Sequence, residues 1–267
     1  MKILSKKPWS TLLFLGLAFF IVYGLALVCA YFGQSRQIYY PPPPTAKKFD
    51  LFIENGPMKL GGWVVPQNPQ RALVVFGGNA QSLRKMSQQG GLSSCTDRTL
   101  ILFPYRGYEG NPGEPREKDL IEDGHKVVLW AQQKYKHVSV LGISLGSGVA
   151  VGVASKTPDL DAVLLGTPYD SMVNVAHDLM PWLLPKLLMK DTYDSAEKAP
   201  NVNSPIFVLR AKQDQIILPP RTARLIQSFK NTVAEEYVLE GNHDTVWSNR
   251  QACEWIRQKT QLSFKYK

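Results

Sequence analysis

A serine hydroxyl becomes a strong nucleophile only when an imidazole takes its proton and a carboxylate holds that imidazole in the correct tautomer. The surroundings of Ser144 suit this chemistry. Gly142-Ile143-Ser144-Leu145-Gly146 follows the β-branched run His137-Val138-Ser139-Val140-Leu141 and precedes the small, apolar Ser147-Gly148-Val149-Ala150-Val151-Gly152-Val153-Ala154. The first run reads as a strand and the second as the start of a helix packed on a sheet. G-x-S-x-G at such a junction puts the serine on a strained turn, and its glycines remove Cβ clashes with the neighbouring strand and helix. A turn built for a nucleotide phosphate needs G-x-G-x-x-G or a Walker lysine instead. Here Gly146-Ser147-Gly148 is followed by Val151, and no G-K-[ST] occurs.

Where a serine sits on such an elbow, the acid and then the histidine follow it in the chain. Of the four histidines, His125 and His137 precede Ser144. His177 sits among Val173, Ala176, Leu179 and Met180 in a helical pattern and reads as structural. His243, in the turn Glu240-Gly241-Asn242-His243-Asp244 after the strand-like Glu236-Tyr237-Val238-Leu239, is the expected base. Asp214 follows the buried-strand pattern Pro205-Ile206-Phe207-Val208-Leu209-Arg210, at the carboxyl edge where open α/β sheets bind ligands, and is the expected acid. Asp170 is the reserve, and Asp244 is too close to the base to orient it. The oxyanion needs two backbone N–H groups. Leu145 is expected to supply one. The turn Gly77-Gly78-Asn79-Ala80 after Leu73-Val74-Val75-Phe76 is expected to supply the other, from Asn79 in preference to Gly78.

These residues need a scaffold, and the pattern supplies one. Residues 49–54 and 62–65 read as an antiparallel hairpin turned at Asn55-Gly56. Strands then alternate with helical stretches at 117–134, 146–156, 220–229 and 247–259. Such alternation predicts a mainly parallel sheet with helices on both faces. Residues 169–200 interrupt it with Met172, Leu179, Trp182, Leu187 and other apolar residues broken by Pro181 and Pro185. The segment is read either as a small lid over the serine or, in keeping with its shortness, as a crossover helix and loop packed on the sheet. Either way its flexible Met and Leu side chains suit an irregular acyl ligand.

Residues 11–32 carry no charge and are long enough to cross a hydrocarbon core of about 30 Å. Lys2, Lys6 and Lys7 precede them, which predicts a cytoplasmic amino terminus and a domain on the periplasmic, lumenal or outer side. The competing reading is a signal peptide cleaved near Val28-Cys29-Ala30, with a secreted product, although the apolar run exceeds the usual length of such a segment. The expected organisation is a basic terminus (1–10), a signal-anchor helix (11–32), a linker stiffened by Pro41 to Pro44 (33–48) and one catalytic domain (49–267). Cys95 and Cys253 permit one disulfide without requiring it, and their spacing is no zinc motif. The net charge of +9 is scattered, with no aromatic-interleaved basic block, so nucleic acid is not an expected partner. The basic surface suits an anionic bilayer or simple solvation equally.

Taken together, several stretches resemble the membrane-anchored α/β-hydrolase-domain proteins, a group that includes serine-aminopeptidase-like hydrolases and protein depalmitoylases. They are Arg36-Gln37-Ile38-Tyr39-Tyr40-Pro41, Gly78-Asn79-Ala80, Tyr105-Arg106-Gly107-Tyr108, the elbow, Thr167-Pro168-Tyr169-Asp170-Ser171, Asp214 and Gly241-Asn242-His243-Asp244. The resemblance implies the α/β-hydrolase fold and a Ser144–His243–Asp214 triad. The chain departs from the family at Gly77, where a histidine is frequent, and at Ala211-Lys212, where His-Gly is common. The expectation is a serine hydrolase that cleaves an ester or thioester, with an amide also open, through an acyl-enzyme and without metal or organic cofactor. Its substrate is expected to be a small or lipid-like acyl compound, an acylated protein included. A peptidase of the aminopeptidase type and a non-catalytic scaffold are the alternatives. The sequence does not fix an oligomeric state.

Overall fold

The structure, a computed structural model, describes residues 8–88, 91–232 and 234–262. Lys2, Lys6 and Lys7 lie outside the described residues. Eight strands form one sheet in the order β1-β2-β4-β3-β5-β6-β7-β8. They are β1 (Leu51–Asn55), β2 (Met58–Val65), β3 (Arg71–Phe76), β4 (Thr99–Leu102), β5 (His137–Ile143), β6 (Ala162–Gly166), β7 (Ile206–Ala211) and β8 (Ala234–Leu239). β1, β2 and β4 pair antiparallel, and from β4 to β8 every pairing is parallel. The helices are α1 (Pro8–Ile38), α2 (Leu83–Met86), α3 (Glu117–Lys134), α4 (Leu145–Ala154), α5 (Met172–Leu179), α6 (Pro185–Leu188), α7 (Ser195–Lys198), α8 (Pro219–Ser228) and α9 (Arg250–Leu262).

The central strands are apolar at nearly every position because both faces of the sheet are covered. Val74, Val140, Val163, Leu165 and Val208 point to one side, where α3, α4 and α8 pack with Leu120, Val127, Val149 and Leu225. Leu73, Val75, Leu141, Leu164 and Leu209 point to the other, against Trp255 and Ile256 of α9. Successive strand residues alternate between the two clusters, as the period of two demands. Cys95 and Cys253 form a disulfide that ties the turn before β4 to α9.

Two boundaries differ from the sequence expectation. The hairpin pairs Asn55 with Met58, so it turns at Gly56-Pro57, where Gly56 holds a φ of +58°. The expected helix over 247–259 is split. Residues Thr245–Ser248 form a short 3-10 turn, Asn249 is extended, and α9 starts at Arg250. The Asn249 side chain accepts the Gln251 N–H and so favours a fresh helix start.

Residues 169–200 form α5, a 3-10 turn at Pro181–Leu183, α6 and α7. They make a cap against α1. Tyr23, Leu27, Ala30, Gln34 and Ile38 are partly covered, while most other residues from 20 to 37 are exposed. That spacing places the five on one helical face. Tyr23 donates its hydroxyl to the Trp182 carbonyl at 2.7 Å, and Gln34 holds both the Leu188 carbonyl and the Lys190 N–H.

Candidate active site

Ser144 stands between β5 and α4 with φ +50° and ψ −115°. A β-carbon at Gly146 would collide with the Phe76 and Gly77 carbonyls, and one at Gly142 would meet the α4 backbone. Glycine at these two positions therefore lets α4 pack directly under β3 and β5 and leaves the serine hydroxyl at the tip of the turn. The Ser144 N–H is donated to Gly166 O at 2.9 Å, and the Ser144 carbonyl accepts from both the N–H and the hydroxyl of Ser147. These bonds hold the strained turn in place.

The loop between β8 and the 3-10 turn at Thr245–Ser248 brings His243 to the serine. Its Nε2 lies 2.8 Å from Ser144 Oγ and its Nδ1 lies 2.7 Å from Asp214 Oδ2. Asp214, from the loop after β7, is almost fully buried. Its other oxygen accepts the Ile216 and Ile217 N–H groups at 2.9 Å each. The carboxylate thus has one oxygen anchored by its own loop and one turned to the imidazole. Asp170, the reserve, is engaged elsewhere: it accepts from Asn174 and the Ser171 N–H and faces Arg221 and Arg224. His177 lies on α5, as expected.

The Gly77–Ala80 turn sits across from the elbow, and Gly78, Asn79, Ser144, Leu145 and His243 border one cavity. The Leu145 N–H occupies the first position of α4, where a helix has no internal acceptor to give it. On the facing turn, Gly78 N–H is donated to Gln81 Oε1 at 2.7 Å, and Ala80 N–H to Asn79 Oδ1. Of the two expected donors, the Gly78 N–H is thus engaged within its own turn, which favours the Asn79 N–H.

Residues of two stretches that the sequence singled out by resemblance, without a role, support this turn. Tyr105 donates to the Gly77 carbonyl, and Tyr108 and the Tyr40 N–H both reach Asn79 Oδ1. Burial pushes both phenols well above their usual titration range, so they remain donors. Arg106, between them, grips Asp123 through two guanidinium nitrogens. The Tyr-Arg-Gly-Tyr motif thus braces the turn opposite the serine. Tyr39 fastens the chain after α1 through Asp191 and Tyr193.

The cavity measures about 360 Å³. Apolar side chains of the cap, among them Met172, Val175, Leu179 and Leu183, form one wall, and Ala30, Gln34, Gln37 and Ile38 of α1 form part of another. Among the described lining residues Asp244 is the only carboxylate, and no cluster of potential metal ligands occurs among the described residues.

No family model matches the chain. Uncharacterized protein Rv2307c of Mycobacterium tuberculosis is 32% identical over 209 residues, which cover 72% of this chain and 74% of that protein. Human alpha/beta hydrolase domain-containing protein 17B is 26% identical over 196 residues, 72% of this chain and 66% of the relative. The chain belongs to the α/β-hydrolase-domain family. Solved α/β-hydrolases agree in fold. The Pyrococcus furiosus esterase Pf2001 superposes with a TM-score of 0.66 at 15% identity, covering 86% of this chain and 97% of the esterase. Est1E of Butyrivibrio proteoclasticus, solved with ferulic acid bound, superposes with a TM-score of 0.64 at 10% identity, covering 80% and 99%. In this α/β-hydrolase, one apolar amino-terminal helix, Thr11–Ile38, is long enough to cross a membrane, a property that an anchor and a signal sequence share.

Proposed function

We propose that this α/β-hydrolase is a membrane-anchored serine hydrolase that cleaves an ester or thioester of a hydrophobic acid. The observation that carries the reading is the continuous chain Asp214–His243–Ser144, with both contacts within hydrogen-bond distance and Ser144 and His243 in the wall of a largely apolar cavity. His243 Nε2 takes the serine proton as Oγ attacks the acyl carbonyl. The Leu145 and Asn79 N–H groups receive the oxyanion. His243 then returns the proton to the departing alcohol or thiol, leaving Ser144 acylated. Water, deprotonated by the same nitrogen, attacks the acyl-enzyme; the acid leaves and Oγ regains its proton. Asp214 keeps Nδ1 protonated and stabilises the imidazolium formed in each half-reaction. The chain's own residues supply every group these steps require.

An apolar wall favours an acyl chain over a peptide, because a free amino terminus needs carboxylate partners and Asp244 is the one at hand. The cavity size falls in the range of roughly 300–1,000 Å³ usual for small-molecule sites. For topology, the lysines at positions 2, 6 and 7 favour a cytoplasmic amino terminus. The Cys95–Cys253 pair agrees, since disulfides persist on the oxidising side of a membrane.

The test is hydrolysis of p-nitrophenyl esters and acyl-thioesters of graded chain length by the purified full chain and by Ser144→Ala. The reading expects turnover that rises with chain length and is abolished in the variant. Equal rates in the two proteins would overturn it.

A further inference from the structure

The position of the cap along α1 carries an inference that rests on the anchored-hydrolase reading. Trp9 and Tyr31 are 22 residues apart on the helix, or about 33 Å at the helical rise, which matches a hydrocarbon core with an aromatic residue at each interface. The Lys190 ammonium stands 4.1 Å over the Tyr31 ring, a fitting place for a cation at headgroup level. From there the cap runs down the helix, not away from it. Trp182 meets Tyr23, eight residues or about 12 Å closer to the cytoplasmic end than Tyr31.

This tip of the cap carries large apolar side chains turned outward. Leu187 is 79% exposed and Trp182 59%, with Leu184 also open. In water such a cluster costs free energy; at this depth beside an apolar helix it meets acyl chains. Lys186, exposed on the same turn, is long enough to carry its charge back toward the interface. The cavity also reaches α1 at Ala30, level with Tyr31, so its apolar end lies at the hydrocarbon boundary while Ser144 stays in the domain.

We propose that the cap is seated in the outer leaflet beside α1, and that the cavity is loaded sideways from the bilayer. The substrate is then a fatty-acyl ester or thioester whose chain already lies in that leaflet. Gln34 and Gln37, polar residues in the cavity wall just beyond the boundary, mark the level at which the carbonyl leaves the membrane for the serine.

The first arm of the test measures depth. The full chain is reconstituted in phosphatidylcholine vesicles with brominated acyl chains, and tryptophan quenching is compared with that of Trp182→Phe. The proposal expects the quenchable signal to fall in the variant by one tryptophan's share; identical quenching in both proteins overturns it. The second arm is kinetic, using Trp182→Glu/Leu187→Glu, two residues outside the cavity wall. Turnover of a long-chain ester embedded in vesicles is expected to fall by ~tenfold or more, because burial of each such side chain among acyl chains is worth at least that factor. Turnover of water-soluble p-nitrophenyl butyrate is expected to persist. Unchanged rates on both substrates overturn the proposal, as does an equal loss on both. Butyrate turnover by the unsubstituted chain, with its retention in membranes after carbonate washing, reads the underlying hydrolase separately, so the two failures are distinct. If the double variant does not fold, the quenching comparison decides alone.

Discussion

Replacing Asp214 by Asn changes little but the direction of one hydrogen bond. In the native site Oδ1 accepts the Ile216 and Ile217 N–H groups and Oδ2 accepts the proton on His243 Nδ1. An Asn side chain has one oxygen for these two tasks. If it keeps its oxygen on the loop amides, its NH₂ faces Nδ1. If it flips, two backbone N–H groups face an NH₂, which forfeits about 1 kcal/mol for each bond and leaves the buried Ile217 N–H unmet. The first orientation therefore wins. Nδ1 must then accept, the imidazole proton moves to Nε2, and Nε2 can no longer take the proton of Ser144 Oγ, 2.8 Å away. The loss expected for a wrong tautomer is about 10⁴-fold in kcat, or about 5.4 kcal/mol of barrier. The fold should persist, since the side chain keeps its shape and its loop bonds. The assay is steady-state ester hydrolysis beside a thermal melt. A folded Asp214→Asn protein within tenfold of wild-type kcat/KM would refute the tautomer argument.

Three further outcomes follow from the same geometry. Asp170→Asn, which removes a buried carboxylate from Asn174, Arg221 and Arg224 but not from the imidazole, should leave kcat near wild type while costing about 1.5–3 kcal/mol of stability, read from denaturant melts. Asn79→Ala keeps the backbone N–H but deletes the acceptor that the Tyr40 N–H and Tyr108 share, so kcat should drop by about tenfold with KM little changed. Cys95→Ser/Cys253→Ser opens a loop of 158 residues; chain entropy sets the loss at up to about 5 kcal/mol, seen as a lower Tm that reductant no longer affects.

The central strands and the elbow were legible because their signals are local. A β-branched run, a G-x-S-x-G turn and a small-residue helix follow one another within about twenty residues, and the alternation of strand and helix implies the parallel sheet. Ser144, Asp214 and His243 stood out because each lies just beyond a readable strand. Asn79 was preferred over Gly78 from the sequence, but the Gln81 side chain that accepts the Gly78 N–H was not legible there, because its direction depends on the folded turn. The split near Asn249 was hidden by apolar residues that continue the helical pattern through a side-chain-capped break. Least legible was the role of α1. Its contacts with the cap join residues more than 150 positions apart, and the stripe of Tyr23, Leu27, Ala30, Gln34 and Ile38 is apolar enough to pass for any lipid-facing helix. Gln34 is the amide side chain in that stripe, and its bonds to the Leu188 carbonyl and the Lys190 N–H tie the helix to the cap.

The claim that Ser144 is an activated nucleophile is tested most directly by reaction with a fluorophosphonate, followed by peptide mass mapping of the full chain in membranes. The account predicts one phosphonylated peptide, carrying the adduct on Ser144, and no adduct in a folded Ser144→Ala protein. A folded wild-type chain that stays unmodified, or a variant labelled to the same extent, would contradict it.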